Sequence, residues 1–104
     1  MPPLMTLFLA GGVATAQASS PPDYRAAYEH ALKCFVVTSG YSDGTSSRRS
    51  WDAAMRMGQL QRLSNRQLNA DLNRVSAQEG VRLARSPDYR AQLLSECRRL
   101  GLAS

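Results

Sequence analysis

Two cysteines, Cys34 and Cys97, constrain the fold of this chain more than any other feature of its sequence. Their wide separation excludes the closely spaced pairs that bind structural zinc or form a C-x-x-C redox site. An even cysteine count in a small exported domain is typical of a disulfide, which here would close a loop of about 60 residues and stabilise the fold by about 4 kcal/mol. The sequence therefore predicts a structural Cys34–Cys97 disulfide, with two buried thiols that never pair as the alternative.

The first 18 residues indicate the export on which this interpretation depends. They carry no charged side chain, and residues 4–14 form an apolar run. Such a run is shorter than the roughly 20 apolar residues that span a bilayer, but it has the length of the apolar region of a secretory signal. Ala16-Gln17-Ala18 then supplies the small-x-small pattern of a cleavage site. We expect cleavage after Ala18, leaving a single helical domain over residues 19–104 in the periplasm or outside the cell.

One feature of the signal departs from the usual pattern. Its start, Met1-Pro2-Pro3, contains no lysine or arginine, whereas a secretory signal normally begins with a positively charged stretch. Either the signal is weak, or the assigned start is wrong and a basic residue lies upstream. A buried apolar segment of a cytosolic protein and a retained membrane anchor are the competing interpretations.

Apolar residues at helical spacing, together with helix-start signals, predict the secondary structure of the remaining chain. Ser64-Asn65-Arg66-Gln67 matches a capping box, and Ser86-Pro87-Asp88 combines a cap, a first-turn proline and an acidic first turn. No segment of any length has the alternating pattern of a strand. The predicted helices cover residues 22–38, 50–63, 64–84 and 87–100.

These elements predict an all-α fold, a small irregular bundle of three to five helices with one disulfide. Residues 39–50 are rich in serine and glycine, and we expect them to form an exposed loop. The third helix has a thin apolar stripe, and the sequence leaves open whether this chain or another covers it. The predicted core comprises Tyr24, Tyr28, Phe35, Trp51, Met55, Leu68, Leu72, Tyr89, Leu93 and Leu100.

Residues that could carry catalysis are few. His30 precedes Cys34 by one helical turn, a spacing that suits a dyad or two metal ligands, but a disulfide would occupy the thiol. Ser42 lies in a G-x-S-x-G string, yet that nucleophile motif needs a preceding strand and a later histidine. We therefore expect no enzyme activity, no cofactor and no metal site.

Export, small size, a disulfide-linked scaffold and the lack of a catalytic set favour a binding role. The formal net charge is +5, and arginine supplies nearly all of the positive side. We expect a protein-binding module, such as an inhibitor, an adaptor or a chaperone-like protein, with an unknown protein partner and no dedicated small-molecule site. The alternative, suggested by the arginine excess, is a binder of anionic surfaces, either lipid headgroups or nucleic acid. A third interpretation is that the excess reflects composition alone and that the basic surface has no dedicated ligand. The contacts for an anionic partner would be Arg48, Arg49, Arg62, Arg66, Arg98 and Arg99.

Overall fold

Four α-helices and one disulfide make up the part of the chain that the computed structural model describes, residues 23–104. The predicted all-α bundle and its Cys34–Cys97 bond are therefore confirmed, and these residues contain no strand. The predicted signal segment lies outside the described residues. None of the four helices is long and apolar enough to cross a membrane. The helices are α1 (Tyr24–Tyr41), α2 (Gly44–Leu60), α3 (Asn65–Arg85) and α4 (Pro87–Arg99).

A side-chain cap opens each helix. Asp23, Asp43, Ser64 and Ser86 each accept a hydrogen bond from the backbone N–H three residues later. These bonds satisfy N–H groups that the first turn of a helix leaves unpaired. Ser64 and Ser86 are the caps that the sequence predicts, and α3 and α4 begin directly after them.

The predicted loop over residues 39–50 is wrong. Only Ser42 and Asp43 connect α1 to α2, because α1 continues to Tyr41 and α2 begins at Gly44. The backbone N–H of Ser42 closes the last turn of α1 by donating to the carbonyl of Thr38. The Asp43 carboxylate then caps α2, so the polar sequence that resembles a loop contains a helix end and a helix start.

Small serine side chains in α2 pack against the C-terminal segment, residues 102–104. The Ser50 hydroxyl donates to the carbonyl of Leu102 at 2.6 Å, and the Ser104 N–H donates to the Ser46 hydroxyl at 2.9 Å. Both serines are fully buried, and Ala103 is also buried. This packing stabilises the first turns of α2, which explains why a serine-rich sequence is helical here.

The central helix is α1, which packs against all three others. The helices alternate in direction. Gln61, just after α2, donates to the carbonyl of Tyr24 at the start of α1, so α2 runs antiparallel to α1. The guanidinium of Arg90, near the start of α4, lies 4.2 Å from the ring centre of Tyr41 at the end of α1, so α4 is also antiparallel to α1. The hydroxyl of Tyr28 donates to Asp71 in the first half of α3, so α1 and α3 run parallel. The bundle is irregular because one helix occupies its centre.

The disulfide joins the middle of α1 to the last turns of α4. The cysteine Cα atoms are 5.7 Å apart, within the usual range for a disulfide. The antiparallel α4 brings Cys97 beside Cys34, which lies in the middle of α1 because that helix continues to Tyr41.

Two apolar clusters form the core, and they contain only part of the predicted set. Tyr28 and Leu93 are buried as predicted, whereas Leu100 is 44% exposed, because α4 ends at Arg99 and the chain turns at Gly101 to bury Ala103. The other predicted core residues are only half-buried: Tyr24, Phe35, Trp51, Met55, Leu68, Leu72 and Tyr89. The buried apolar residues are Tyr28, Ala31, Leu32, Cys34, Val37, Ala54, Val75, Leu83, Leu93, Cys97 and Ala103.

Candidate functional site: an aromatic groove between three helices

An open groove of about 570 Å³ lies where α1, α2 and α3 meet. Its volume falls in the range of small-molecule pockets, roughly 300–1,000 Å³. Each of the three helices contributes side chains, and α2 contributes most of them. The lining residues are Phe35, Gly44, Ser47, Arg48, Trp51, Asp52 and Leu72.

Two aromatic rings and a leucine form the apolar floor of the groove. The rings of Phe35 and Trp51 have their centres 5.0 Å apart and are tilted by 52°, an arrangement that aromatic pairs favour. Leu72 reaches the groove from α3. All three side chains are half-buried, so each keeps apolar surface available to a ligand. Their predicted place in a closed core is therefore corrected to the floor of an open groove.

Two exposed charged residues of α2, Arg48 and Asp52, stand one helical turn apart at the rim. Neither forms an ion pair within residues 23–104. The only hydroxyl lining the groove belongs to Ser47, which donates to the carbonyl of Gly44 at 3.1 Å. The groove therefore combines an apolar floor with one positive and one negative charge that are free to meet a ligand.

The six arginines proposed for an anionic partner have different surroundings in the structure. Arg62 and Arg66 lie at the α2–α3 turn, fourteen or more residues along the chain from Arg48. Arg49 and Arg98 instead donate to carbonyls of the C-terminal segment, those of Ala103 and Ser104. Arg99 pairs with the Glu96 carboxylate at 2.6 Å. Of the six arginines, only Arg48 lines the groove.

A buried carboxylate, Asp71, links α3 to α1. It accepts hydrogen bonds from the Tyr28 hydroxyl at 2.9 Å and from the Gln67 amide at 3.0 Å, and the guanidinium groups of Arg25 and Arg74 each approach it to 3.5 Å. Burial raises the pKa of Asp71, but these hydrogen bonds and the charge of Arg25 outweigh it, so the pKa lies below its usual value. Burial and the neighbouring carboxylate also raise the pKa of Tyr28.

A second buried carboxylate, Glu79, holds α3 against α4. It accepts a short hydrogen bond from the Tyr89 hydroxyl, and the Arg82 guanidinium lies 3.5 Å from it and 4.0 Å from the ring centre of Tyr89. Burial and the Glu79 carboxylate raise the pKa of Tyr89 to about 12. Both carboxylates are thus engaged by donors from their own chain, which fits a role in joining helices.

The residues considered for catalysis are not brought together. Nε2 of His30 lies 3.9 Å from the Glu96 carboxylate, beyond hydrogen-bond distance, and the Cys34 sulfur is bonded to Cys97. Ser42 is the exposed C-cap of α1, without the strand that its motif requires. Across residues 23–104, no three histidine, cysteine or acidic side chains lie close enough to hold a metal ion.

Comparison with known proteins finds no matching family model, no similar curated protein and no similar solved structure. The functional argument therefore depends on the groove itself. Sequence reasoning placed Phe35, Trp51 and Leu72 in the core and did not assign them to a site. Two signals pointed towards the groove: the thin apolar stripe of α3 and the single tryptophan of the chain.

Proposed function

We propose that the protein is a binding module, not an enzyme, and that it docks a segment of a partner protein in the groove over Phe35, Trp51 and Leu72. The observation that carries this proposal is an open groove whose floor exposes part of the only tryptophan and of a second aromatic ring. Tryptophan is strongly enriched among the residues that dominate binding energy at protein interfaces. An apolar partner side chain would remove the exposed surface of these rings from water.

The scaffold supports such a role because its helices hold the groove in one shape. The floor residues come from three helices, each fixed by a cap at its start, and the disulfide ties the central α1 to α4. A site on rigid elements loses little conformational entropy when it binds, which favours affinity.

Export of the protein is part of the proposal. A disulfide is compatible with a compartment outside the cytoplasm, where such bonds persist, and the sequence predicts cleavage after Ala18. Sequencing the N-terminus of the protein purified from its native cells should give Ser19 as the first residue. Met1 or Pro2 at the N-terminus would contradict export.

Affinity capture with groove variants tests the docking proposal. The disulfide-bonded protein and its Trp51→Ala variant would be used to retain proteins from a cell-envelope extract, with mass spectrometry identifying each retained protein. We expect one partner that the unchanged protein retains and the Trp51→Ala variant loses. Leu60→Ala is the control, because Leu60 is 51% exposed at the end of α2 and does not line the groove.

A second variant separates loss of binding from loss of folding. Trp51→Ala removes a contact with Phe35, whereas Ser47→Phe fills the groove and removes only a hydrogen bond to Gly44. Circular dichroism would confirm that both variants are folded. Retention of the same partner by both variants would show that docking does not use the groove.

A further inference from the structure

The first turns of α2 present one face to the groove and another to the C-terminal segment. Ser47 and Trp51, four residues apart, line the groove together with Arg48. Ser46 and Ser50, also four residues apart, share a different face of the same turns, and both are fully buried beneath the C-terminal segment. A contact that holds the buried face of these turns therefore also sets the place of the residues on the groove face.

The C-terminal segment is held on α2 by hydrogen bonds at both of its ends. The Ser50 hydroxyl donates to the Leu102 carbonyl at 2.6 Å, and the Ser46 hydroxyl accepts from the Ser104 N–H at 2.9 Å. Between these two bonds, the side chain of Ala103 is buried in the apolar cluster that contains both disulfide cysteines. The segment therefore connects the first turns of α2 to the part of the core that the disulfide crosslinks.

The turn that leads into the C-terminal segment is itself fixed. Gly101 has a positive φ of 76°, a backbone conformation that glycine adopts without strain. Across this turn, the Leu102 N–H donates to the carbonyl of Cys97 at 2.8 Å, as in a helix C-terminus that is closed by glycine. Because Cys97 is bonded to Cys34, the segment leaves α4 from a crosslinked position.

The sequence of the first turns of α2, by contrast, supplies little helix stability. Residues 44–50 consist of one glycine, one threonine, three serines and two arginines. Glycine, serine and threonine are poorer helix formers than alanine, so the helical state of such a stretch depends on its packing. The C-terminal segment supplies this packing at Ser46 and Ser50.

We propose that the C-terminal segment positions the groove. By holding Ser46 and Ser50, it keeps the first turns of α2 helical and so fixes Arg48 and Trp51 at the groove. Ser46 and Ser50 are therefore positioning residues of the binding site, although neither lines it. The consequence for binding rests on the proposed docking function, whereas the effect on α2 does not depend on a partner.

Replacing Ser50 by alanine tests the inference, because helix propensity and the C-terminal segment then act in opposite directions. Alanine is the better helix former, so propensity alone would slow hydrogen exchange in the first turns of α2. Loss of the bond to the Leu102 carbonyl should outweigh this gain. We expect the backbone amides of residues 47–51 to exchange about tenfold faster than in the unchanged protein. Amides of residues 75–83 in α3 should change much less. Exchange is followed by NMR on the disulfide-bonded protein.

Two further variants complete the exchange experiment. Ser46→Ala removes the acceptor of the Ser104 N–H, so it should accelerate the same amides of α2. Thr45→Ala is the matched control, because Thr45 is exposed in the same turn and does not line the groove. It replaces a hydroxyl side chain by alanine without touching the C-terminal segment, so exchange in α2 should stay the same or slow down.

The emission of Trp51, the only tryptophan, reports whether the change reaches the groove. Ser46 lies five residues before Trp51, so an effect of Ser46→Ala on the indole is transmitted through the helix. Acrylamide should quench Trp51 more strongly in Ser46→Ala than in Thr45→Ala or the unchanged protein, because looser first turns expose more of the ring.

The outcomes separate this inference from the docking function. Exchange in α2 that stays the same or slows in Ser46→Ala and Ser50→Ala would refute it. Equal acceleration in α2 and α3 would also refute it, because the segment would then stabilise the whole fold and not these turns. Faster exchange with unchanged quenching of Trp51 would refute the link to the groove. None of these measurements uses a partner, so they stand whatever partner capture with Trp51→Ala shows about docking.

Discussion

At the scale of single residues, the carboxylate of Asp71 shows how this small protein tolerates a buried charge. Four donors reach it: the Tyr28 hydroxyl, the Gln67 amide and the guanidinium groups of Arg25 and Arg74. A buried ion without such partners would destabilise the fold by several kcal/mol. With them, the carboxylate fixes the position of α3 against α1.

Replacing Tyr28 by phenylalanine should therefore destabilise the protein. The substitution removes the 2.9 Å hydrogen bond to Asp71 but keeps the buried ring, so we expect the free energy of unfolding to fall by about 1–3 kcal/mol at pH 7. Urea unfolding followed by circular dichroism measures the change. Tyr41→Phe is the control, because Tyr41 is 42% exposed and its ring beside Arg90 is retained.

Lowering the pH should reduce the difference between Tyr28→Phe and the unchanged protein. The pKa of Asp71 is lower in the folded protein than its usual value of about 3.9, so the ionised carboxylate stabilises the fold above that value. The stabilisation is lost as the pH falls through the folded pKa, because the carboxylate then takes up a proton. A difference that grows as the pH falls below about 4 would contradict this assignment.

The sequence accounts for the arginine beside each buried carboxylate but not for the tyrosine that covers it. Asp71 and Glu79 each precede an arginine by three residues, a spacing at which side chains of one helix meet, and the structure contains both pairs, Asp71 with Arg74 and Glu79 with Arg82. The sequence did not suggest that both acids are buried, because the tyrosine that covers each one comes from another helix. The spacing of residues along one helix predicts which of them are neighbours on that helix. It does not predict which residue of a second helix packs over them.

At the scale of helices, the start of α2 shows where sequence reasoning fails. Serine and glycine favour loops when they are exposed, but Ser46 and Ser50 are buried beneath the C-terminal segment, more than 50 residues away in sequence. The helices that begin at the capping signals of Ser64 and Ser86 were predicted well, because a cap acts within its own first turn.

Two glycines in helices should respond differently to alanine. Gly80 lies inside the continuous helix α3, and a Cβ atom there would meet nothing within 4 Å. Gly80→Ala should therefore raise the free energy of unfolding by about 0.5–1 kcal/mol, because alanine loses less conformational entropy in a helix. Thermal or urea unfolding measures the gain.

The matched variant is Gly58→Ala in α2. A Cβ atom at Gly58 would lie 2.7 Å from the Leu68 side chain, so α3 approaches α2 closely at this position. Leu68 must shift to accept the methyl group, and this repacking offsets the gain in helix propensity. We expect Gly58→Ala to be less stable than Gly80→Ala; equal gains would contradict the close approach.

At the scale of the whole molecule, the groove exists because three apolar stripes meet and α4, the remaining helix of residues 23–104, does not cover them. The stripes on α1, α2 and α3 were predicted from their spacing, and each packs partly against the others. Phe35, Trp51 and Leu72 remain half-buried because α4 packs against α1 and α3 around the disulfide, at a different side of the central helix. Periodicity identifies an apolar face, but the spatial arrangement of the helices decides whether the same chain closes it.

Removing the disulfide should weaken the whole fold. Cys34 and Cys97 are 63 residues apart, and on the chain-entropy model a bond across that distance stabilises a protein by about 4 kcal/mol. Total stability for domains of this size is about 5–15 kcal/mol, so the double variant Cys34→Ala/Cys97→Ala should lose a large share of it. Urea unfolding of the oxidised protein and the double variant measures the difference.

Because both cysteines are buried, the disulfide should also be reduced slowly in the folded protein. Neither cysteine is exposed, so a thiol reductant can reach the disulfide only after α4 separates from α1. Reduction by dithiothreitol should therefore be slow without denaturant and should accelerate as urea populates open states. The free thiols released over time, measured at several urea concentrations, follow this reaction. Rapid reduction at a rate that urea does not change would show that the disulfide is accessible in the folded protein. That result would contradict the expectation that the fold protects the bond.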